Sequence, residues 1–163
     1  EGRIWQRYVA LGDSFTEGVG DANLMYPNGV RGWADRMARQ LGKADSSWEY
    51  ANFAIRSKRL DEIVDEQFDA ALALNPTLIS FYAGGNDILA VRADMRSIMD
   101  RYESALDRLV SSGADVMLFT TFDVKISTCT WKKVYRTLRV TRWGRFEVNT
   151  SFVCPGVFHS TVC

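Results

Sequence analysis

Tyr8-Val9-Ala10-Leu11-Gly12-Asp13-Ser14-Phe15-Thr16-Glu17-Gly18 joins a short apolar run to a polar loop bounded by glycine. The apolar run reads as a buried strand. A serine set just beyond it stands where its hydroxyl can be held at the carboxyl edge of a sheet, so Ser14 is a candidate nucleophile. The same letters also serve as turn chemistry, because Asp and Ser side chains bond nearby backbone N–H groups. Gly18-Val19-Gly20 is only G-x-G and lacks the spacing of a phosphate-binding loop. What lies further along the chain decides between these readings.

Working outward, residues 32–41 place Trp33, Met37 and Leu41 at i, i+4 and i+8 and stop at Gly42, which predicts an amphipathic helix with a glycine C-cap. Residues 48–53 alternate in polarity and are rich in aromatics, a second strand, and the basic turn Arg56-Ser57-Lys58-Arg59 follows. From Leu60, the residues Ile63, Val64, Phe68, Ala71 and Leu72 share one helical face, with Asp61, Glu62 and Asp65 in the opening turns where the helix dipole favours negative charge. Asn75-Pro76 ends that helix. Residues 77–82 form a nearly continuous apolar run, as expected of a strand buried on both faces, and Gly84-Gly85-Asn86-Asp87 follows at once. Asp94 is placed to cap a helix whose stripe is Met95, Ile98, Met99, Tyr102, Leu106 and Leu109, closing at Gly113, before a fourth strand over 116–121. This alternation predicts an α/β fold, a parallel sheet with helices on both faces. In such sheets ligands bind beyond the carboxyl ends of the strands, which selects the Ser14 loop, the loop over 52–57 and the loop over 84–87.

Those three loops carry a family resemblance. Gly12-Asp13-Ser14-Phe15-Thr16-Glu17-Gly18, Asn52-Phe53-Ala54-Ile55-Arg56-Ser57 and Gly84-Gly85-Asn86-Asp87 resemble, in order, the first three blocks of the SGNH hydrolases, also called the GDSL esterase/lipase family. The resemblance covers about residues 6–123. It implies a flavodoxin-like three-layer α/β/α fold and ester hydrolysis through an acyl-enzyme, with a small-molecule ester as the partner and neither cofactor nor metal. Ser14 is then the nucleophile, and the oxyanion donors are the Ser14 backbone N–H, the backbone N–H of Ser57 and the Asn86 side-chain amide. Asp13 and Asn52 are read as residues that hold their loops, with Gly12 and Gly85 in support. Family members hydrolyse lipids, thioesters, acetylated sugars and lysophospholipids, and an acyltransferase would use the same acyl-enzyme.

Two departures from the pattern stand out. The family usually has glycine where this chain has Ser57; serine keeps the N–H, but a positive φ there costs on the order of 1 kcal/mol. The fourth block, Asp-x-x-His, supplies the base and the residue that orients it, and it occurs nowhere in the 163 residues. The single histidine, His159, has Gly156 three residues before it. His159 is the candidate base by default, and a solvent-facing residue is its plainer reading. An inactive remnant or a ligand-binding domain is the alternative to an esterase.

Composition bounds the rest. A chain of 163 residues, 47% apolar and 25% charged, has enough length for one sizeable core. The net charge of zero hides a split: residues 1–123 carry 13 Lys/Arg against 19 Asp/Glu, net −6, while residues 124–163 carry seven basic residues against Glu147, net +6. Cys129, Cys154 and Cys163 all fall in the second part, odd in number and without C-x-x-C spacing, so neither a disulfide framework nor a zinc site is predicted. Residues 6–123 therefore read as the SGNH-like domain and 124–163 as an atypical basic tail, a loose hairpin with arginines at 136, 139, 142 and 145. A slip of the reading frame shortly after Asp123 would account for the changed charge, cysteine use and periodicity together. A basic aromatic tail can bind nucleic acid, but a solvated tail is the simpler expectation and no nucleic-acid partner is predicted. No run approaches the ~18 apolar residues of a membrane span. A cytoplasmic location is the default, with secretion left open because the sequence lacks an initiator Met.

Overall fold

A computed structural model describes residues 5–43, 45, 47–90, 93–119, 137–140 and 146–148. Eleven elements follow in order among them: β1 (Arg7–Gly12), α1 (Ser14–Glu17), α2 (Trp33–Leu41), β2 (Glu49–Asn52), α3 (Leu60–Ala73), β3 (Leu78–Tyr82), α4 (Gly85–Ile88), α5 (Met95–Ser111), β4 (Asp115–Phe119), β5 (Thr137–Val140) and β6 (Phe146–Val148). The strands form one sheet in the order β2-β1-β3-β4-β5-β6. The first four are parallel, and the order 2-1-3-4 is that of doubly wound flavodoxin-like sheets.

Alternation along β1 divides the core between two layers. Val9 and Leu11 face one side, where Leu60, Ile63, Phe68 and Ala71 of α3 and Ile98, Ala105 and Leu109 of α5 cover them together with Ile79 and Phe81 of β3. Phe68 meets Phe81 edge-on at 5.5 Å between ring centroids. Tyr8 and Ala10 face the other side, against Ala34 and Ala38 of α2 and Leu78. The helices thus flank the sheet on both faces, and every residue from Leu78 to Tyr82 is buried, as a continuous apolar run in a central parallel strand requires.

The sequence places the ends of these elements well. Asp94 caps α5, its Oδ1 accepting the N–H groups of Arg96 and Ser97 at 3.1 and 3.3 Å. Glu62 accepts the Arg59 N–H at the start of α3, and Asn75, in the left-handed region at φ +51°, closes its far end.

Gly42 is the C-cap of α2 as expected, whereas the stripe of α5 is corrected. Gly42 ends α2 at φ −75°, so its conformation does not require glycine; a Cβ there would stand 2.6 Å from Trp48 Cδ1, and glycine is needed for that close approach. Met95 and Met99, predicted in the buried stripe of α5, are 48% and 50% exposed. The buried stripe instead runs through Ile98, Ala105 and Leu109, with Tyr102 and Leu106 partly buried beside it. Past the four parallel strands the sheet changes sense: β5 runs antiparallel to β4, and β6 antiparallel to β5. The strands of the expected hairpin thus extend the same sheet. The sequence past residue 123 lacks the helical stripe that a parallel crossover needs.

Leu109→Ala should lower unfolding free energy by about 2–5 kcal/mol, whereas Met99→Ala should change it by about 0.5 kcal/mol or less. Urea denaturation of both variants checks the placement of the α5 stripe, and equal losses would contradict it.

Candidate functional site

The site begins where β1 stops. Gly12 has φ +154°, and a Cβ on it would lie 2.6 Å from the Tyr82 carbonyl oxygen and 2.7 Å from Thr16 Oγ1, so no side chain fits. Gln67, buried in the middle of α3, grips this residue from behind. Its Nε2 donates to the Gly12 carbonyl at 2.9 Å and its Oε1 accepts the Gly12 N–H at 3.0 Å. The chain then turns into α1. Asp13 caps it, with Oδ1 accepting the Phe15 N–H at 3.0 Å and its carbonyl accepting the N–H groups of Thr16 and Glu17. Ser14 is the first residue of α1, where backbone N–H groups have no partner within the helix. Its hydroxyl is half-buried and bonds no group among the described residues.

The second loop is tied to the first. Asn52 accepts the Ala54 N–H at 3.0 Å and donates Nδ2 to the Thr16 carbonyl at 3.2 Å. The Ile55 N–H bonds the Gly12 carbonyl at 3.2 Å, extending the ladder past the strand. Glu17 accepts the Arg56 N–H at 2.7 Å and forms an ion pair with its guanidinium. Ser57 sits at φ +68°, in the left-handed region.

The third loop closes the group. Asn86 lies in α4, and its Nδ2 donates to the Lys58 carbonyl at 2.8 Å and to Asp13 Oδ2 at 3.4 Å. Asp87, buried beside it, accepts the Leu60 N–H at 2.9 Å and so fixes the start of α3. Gly85 is close enough to Asp13 that a Cβ would stand 3.7 Å from Oδ2, an ordinary contact. Gly12, Asp13, Ser14, Asn52, Ser57, Gly85 and Asn86 therefore belong to one connected set of loops, whereas His159 lies outside the described residues. Phe15, Trp33, Tyr82 and Phe119 pack together at this end of the sheet, with centroids of 4.6 Å for Phe15–Tyr82 and for Trp33–Phe119.

Asp13 is the titratable group at the centre. Burial pushes its carboxyl above the ordinary carboxylate value, and the charge of Asp87 acts the same way, while the Phe15 N–H opposes them. No cluster of His, Cys, Asp and Glu suited to a metal ion occurs among the described residues, and no helix among them is long and apolar enough to cross a membrane.

A family model described as the GDSL-like lipase/acylhydrolase family matches residues 10–145. The chain belongs to this family. The match runs past Asp123 into the basic part of the sequence. No curated protein matches it. Solved GDSL-family and esterase structures share the fold. TesA superposes with a TM-score of 0.57 at 23% identity, over 72% of this chain and 61% of its own. A catalytic mutant of Axe2, an acetylxylan esterase from Geobacillus stearothermophilus, gives 0.55 at 20%, over 72% and 60%. The psychrotrophic esterase EstA from Pseudoalteromonas sp. gives 0.53 at 18%, over 69% and 58%. The match thus spans about three fifths of the length of these structures.

Sequence reasoning missed the residues that join the GDSL loops. Gln67 had a signal: it lies four residues from both Ile63 and Ala71, a polar side chain on the apolar face of α3. Glu17 and Arg56 stand inside quoted blocks, but nothing local marks them as partners across 39 positions.

Gln67→Leu leaves the buried Gly12 N–H without an acceptor, while the Gly12 carbonyl keeps Ile55; a loss of about 1–3 kcal/mol in unfolding free energy is expected, read by urea denaturation. The raised Asp13 pKa gives a second outcome. The native state holds this proton more tightly than the unfolded chain, so the contribution is full below the unfolded value of 3.8 and is lost as pH rises through the native one. Asp13→Asn should flatten that fall in stability, and denaturation midpoints across this window that descend as steeply as in wild type would refute the assignment.

Proposed function

We propose that this chain is a serine ester hydrolase of the GDSL type that works through an acyl-enzyme. The observation that carries the reading is the Asn86 amide, which reaches the carboxylate of Asp13 directly beside Ser14. Ser14 Oγ attacks the acyl carbon, and the negative oxygen of the tetrahedral intermediate is met by the N–H groups of Ser14 and Ser57 and by Asn86 Nδ2. Neither the Ser14 nor the Ser57 N–H bonds another group among the described residues. Of the two Asn86 bonds, the one to Lys58 at 2.8 Å anchors the side chain, and the longer one to Asp13 is the N–H that turns to the oxyanion. The substrate is a small ester, and the acylated sugars of the acetylxylan esterases belong to that class. The proton of Ser14 needs a base, and His159 is the imidazole that these 163 residues offer. An acyltransferase would differ only in the alcohol that receives the acyl group.

The missing Asp-x-x-His favours one other reading, an acyl-binding protein without turnover. A fluorophosphonate separates the two, since Ser14 Oγ displaces fluoride from phosphorus and the adduct is stable. Wild type should gain one phosphonate by intact mass, Ser14→Ala none, and Asn86→Ala should label about 10²–10³-fold more slowly. Folded wild type that takes up no label overturns the hydrolase proposal, and labelling without hydrolysis of p-nitrophenyl acetate selects the silent binder.

A further inference from the structure

Glu17 is an unusual carboxylate for a surface loop. Only 8% of the residue is exposed, and one neighbour supplies all of its donors. Arg56 Nη2 lies 2.8 Å from Oε1, Arg56 Nε lies 3.1 and 3.2 Å from Oε2 and Oε1, and the Arg56 backbone N–H lies 2.7 Å from Oε2. A fork matched to a carboxylate fixes orientation as well as distance. Glu17 in turn is one helical turn from Ser14, and its N–H is bonded to the Asp13 carbonyl. Whatever Arg56 holds is therefore referenced to Ser14.

Arg56 holds Ser57. That residue is exposed, carries a side chain at φ +68°, and is retained by no bond from its own N–H among the described residues. The restraints fall on either side of it. Glu17 pins the N–H of Arg56, and Asn86 pins the carbonyl of Lys58 at 2.8 Å. Both ends of the tripeptide are thus held, and the residue between them has the left-handed conformation that serine on its own disfavours.

We infer that Glu17 and Arg56 are positioning residues, a clamp that keeps Ser57 in the left-handed region and so aims its backbone N–H at the volume beside Ser14. The clamp supplies by ion pairing what glycine would supply by freedom of φ. The functional half of this inference rests on the proposed role of Ser14 and Ser57; the conformational half does not.

The test uses Glu17→Gln, Ser57→Gly and the double variant in the full chain. Phosphonylation of Ser14 should slow by about 5–30-fold in Glu17→Gln, the population penalty of a left-handed residue with a side chain. Glycine visits that region unaided, so the double variant should label within about twofold of Ser57→Gly alone. A double variant slowed as much as Glu17→Gln would assign Glu17 a merely structural role and overturn the clamp. Backbone NMR shifts of residue 57, which report φ, provide the arm that needs no chemistry. They should move away from left-handed values in Glu17→Gln, and unmoved shifts overturn the inference whether or not Ser14 labels. Moved shifts in a protein that takes no label support the clamp and remove the hydrolase reading instead.

Discussion

The parallel register of β1 with both of its neighbours is the constraint from which the site follows. Gly12 pairs with Tyr82 and Ala10 with Asn52, so β1 and β3 end level, β2 ends two residues earlier, and all three carboxyl ends lie at the same edge of the sheet. Adjacent strands lie ~4.8 Å apart, which brings the three loop origins within about 10 Å before any loop takes its shape. A slip of one residue would carry every side chain of β1 to the opposite face. It would place Tyr8 among the apolar residues of α3 and α5 and take its hydroxyl from Ser80, with which it shares a buried hydrogen bond of 2.8 Å. The two-sided burial of β1 thus fixes the site as firmly as it fixes the core.

Once the strands end, backbone groups that would have continued the ladder need other partners. Side chains from distant elements provide them. Gln67 satisfies Gly12, Asn52 reaches the Thr16 carbonyl, Asn86 the Lys58 carbonyl, Glu17 the Arg56 N–H and Asp87 the Leu60 N–H. Each of these crosses from one loop or helix to the backbone of another. A net gain of about 1 kcal/mol per bond is small, but an orphaned buried group costs more than a made bond returns, so the set resists piecemeal loosening.

The same distinction explains what could be read from the sequence. The strands and the large helices were legible because apolar periodicity is local, and Asp94 was legible as a cap because its partners are two and three residues away. The three loops were found because each follows a strand. The cross-links were not, since Gln67 and Gly12 are 55 positions apart and their bond depends on how closely α3 approaches β1. Met95 and Met99 failed for a related reason: a helical face is set by sequence, but which part of that face meets the sheet is set by how the helix docks, and α5 buries Ile98, Ala105 and Leu109. Ser57 shows the opposite case, for the pattern marked it as a departure and its φ of +68° lies in the region that glycine enters freely.

Donors and base are separable parts in a fold of this kind. Ser14, Ser57 and Asn86 all come from the first 119 residues, and the bonds that hold their loops close within that span. The base in this family comes from a later block. In subtilisin, a serine protease, oxyanion donors and substrate binding retain ~10³–10⁴-fold acceleration when the triad is removed. On the proposed reading, the donors can therefore contribute before any imidazole is added. On the proposed hydrolase reading the chemical question lies in the proton transfer from Ser14, since the proposed donors sit on loops that are tied together within the first 119 residues.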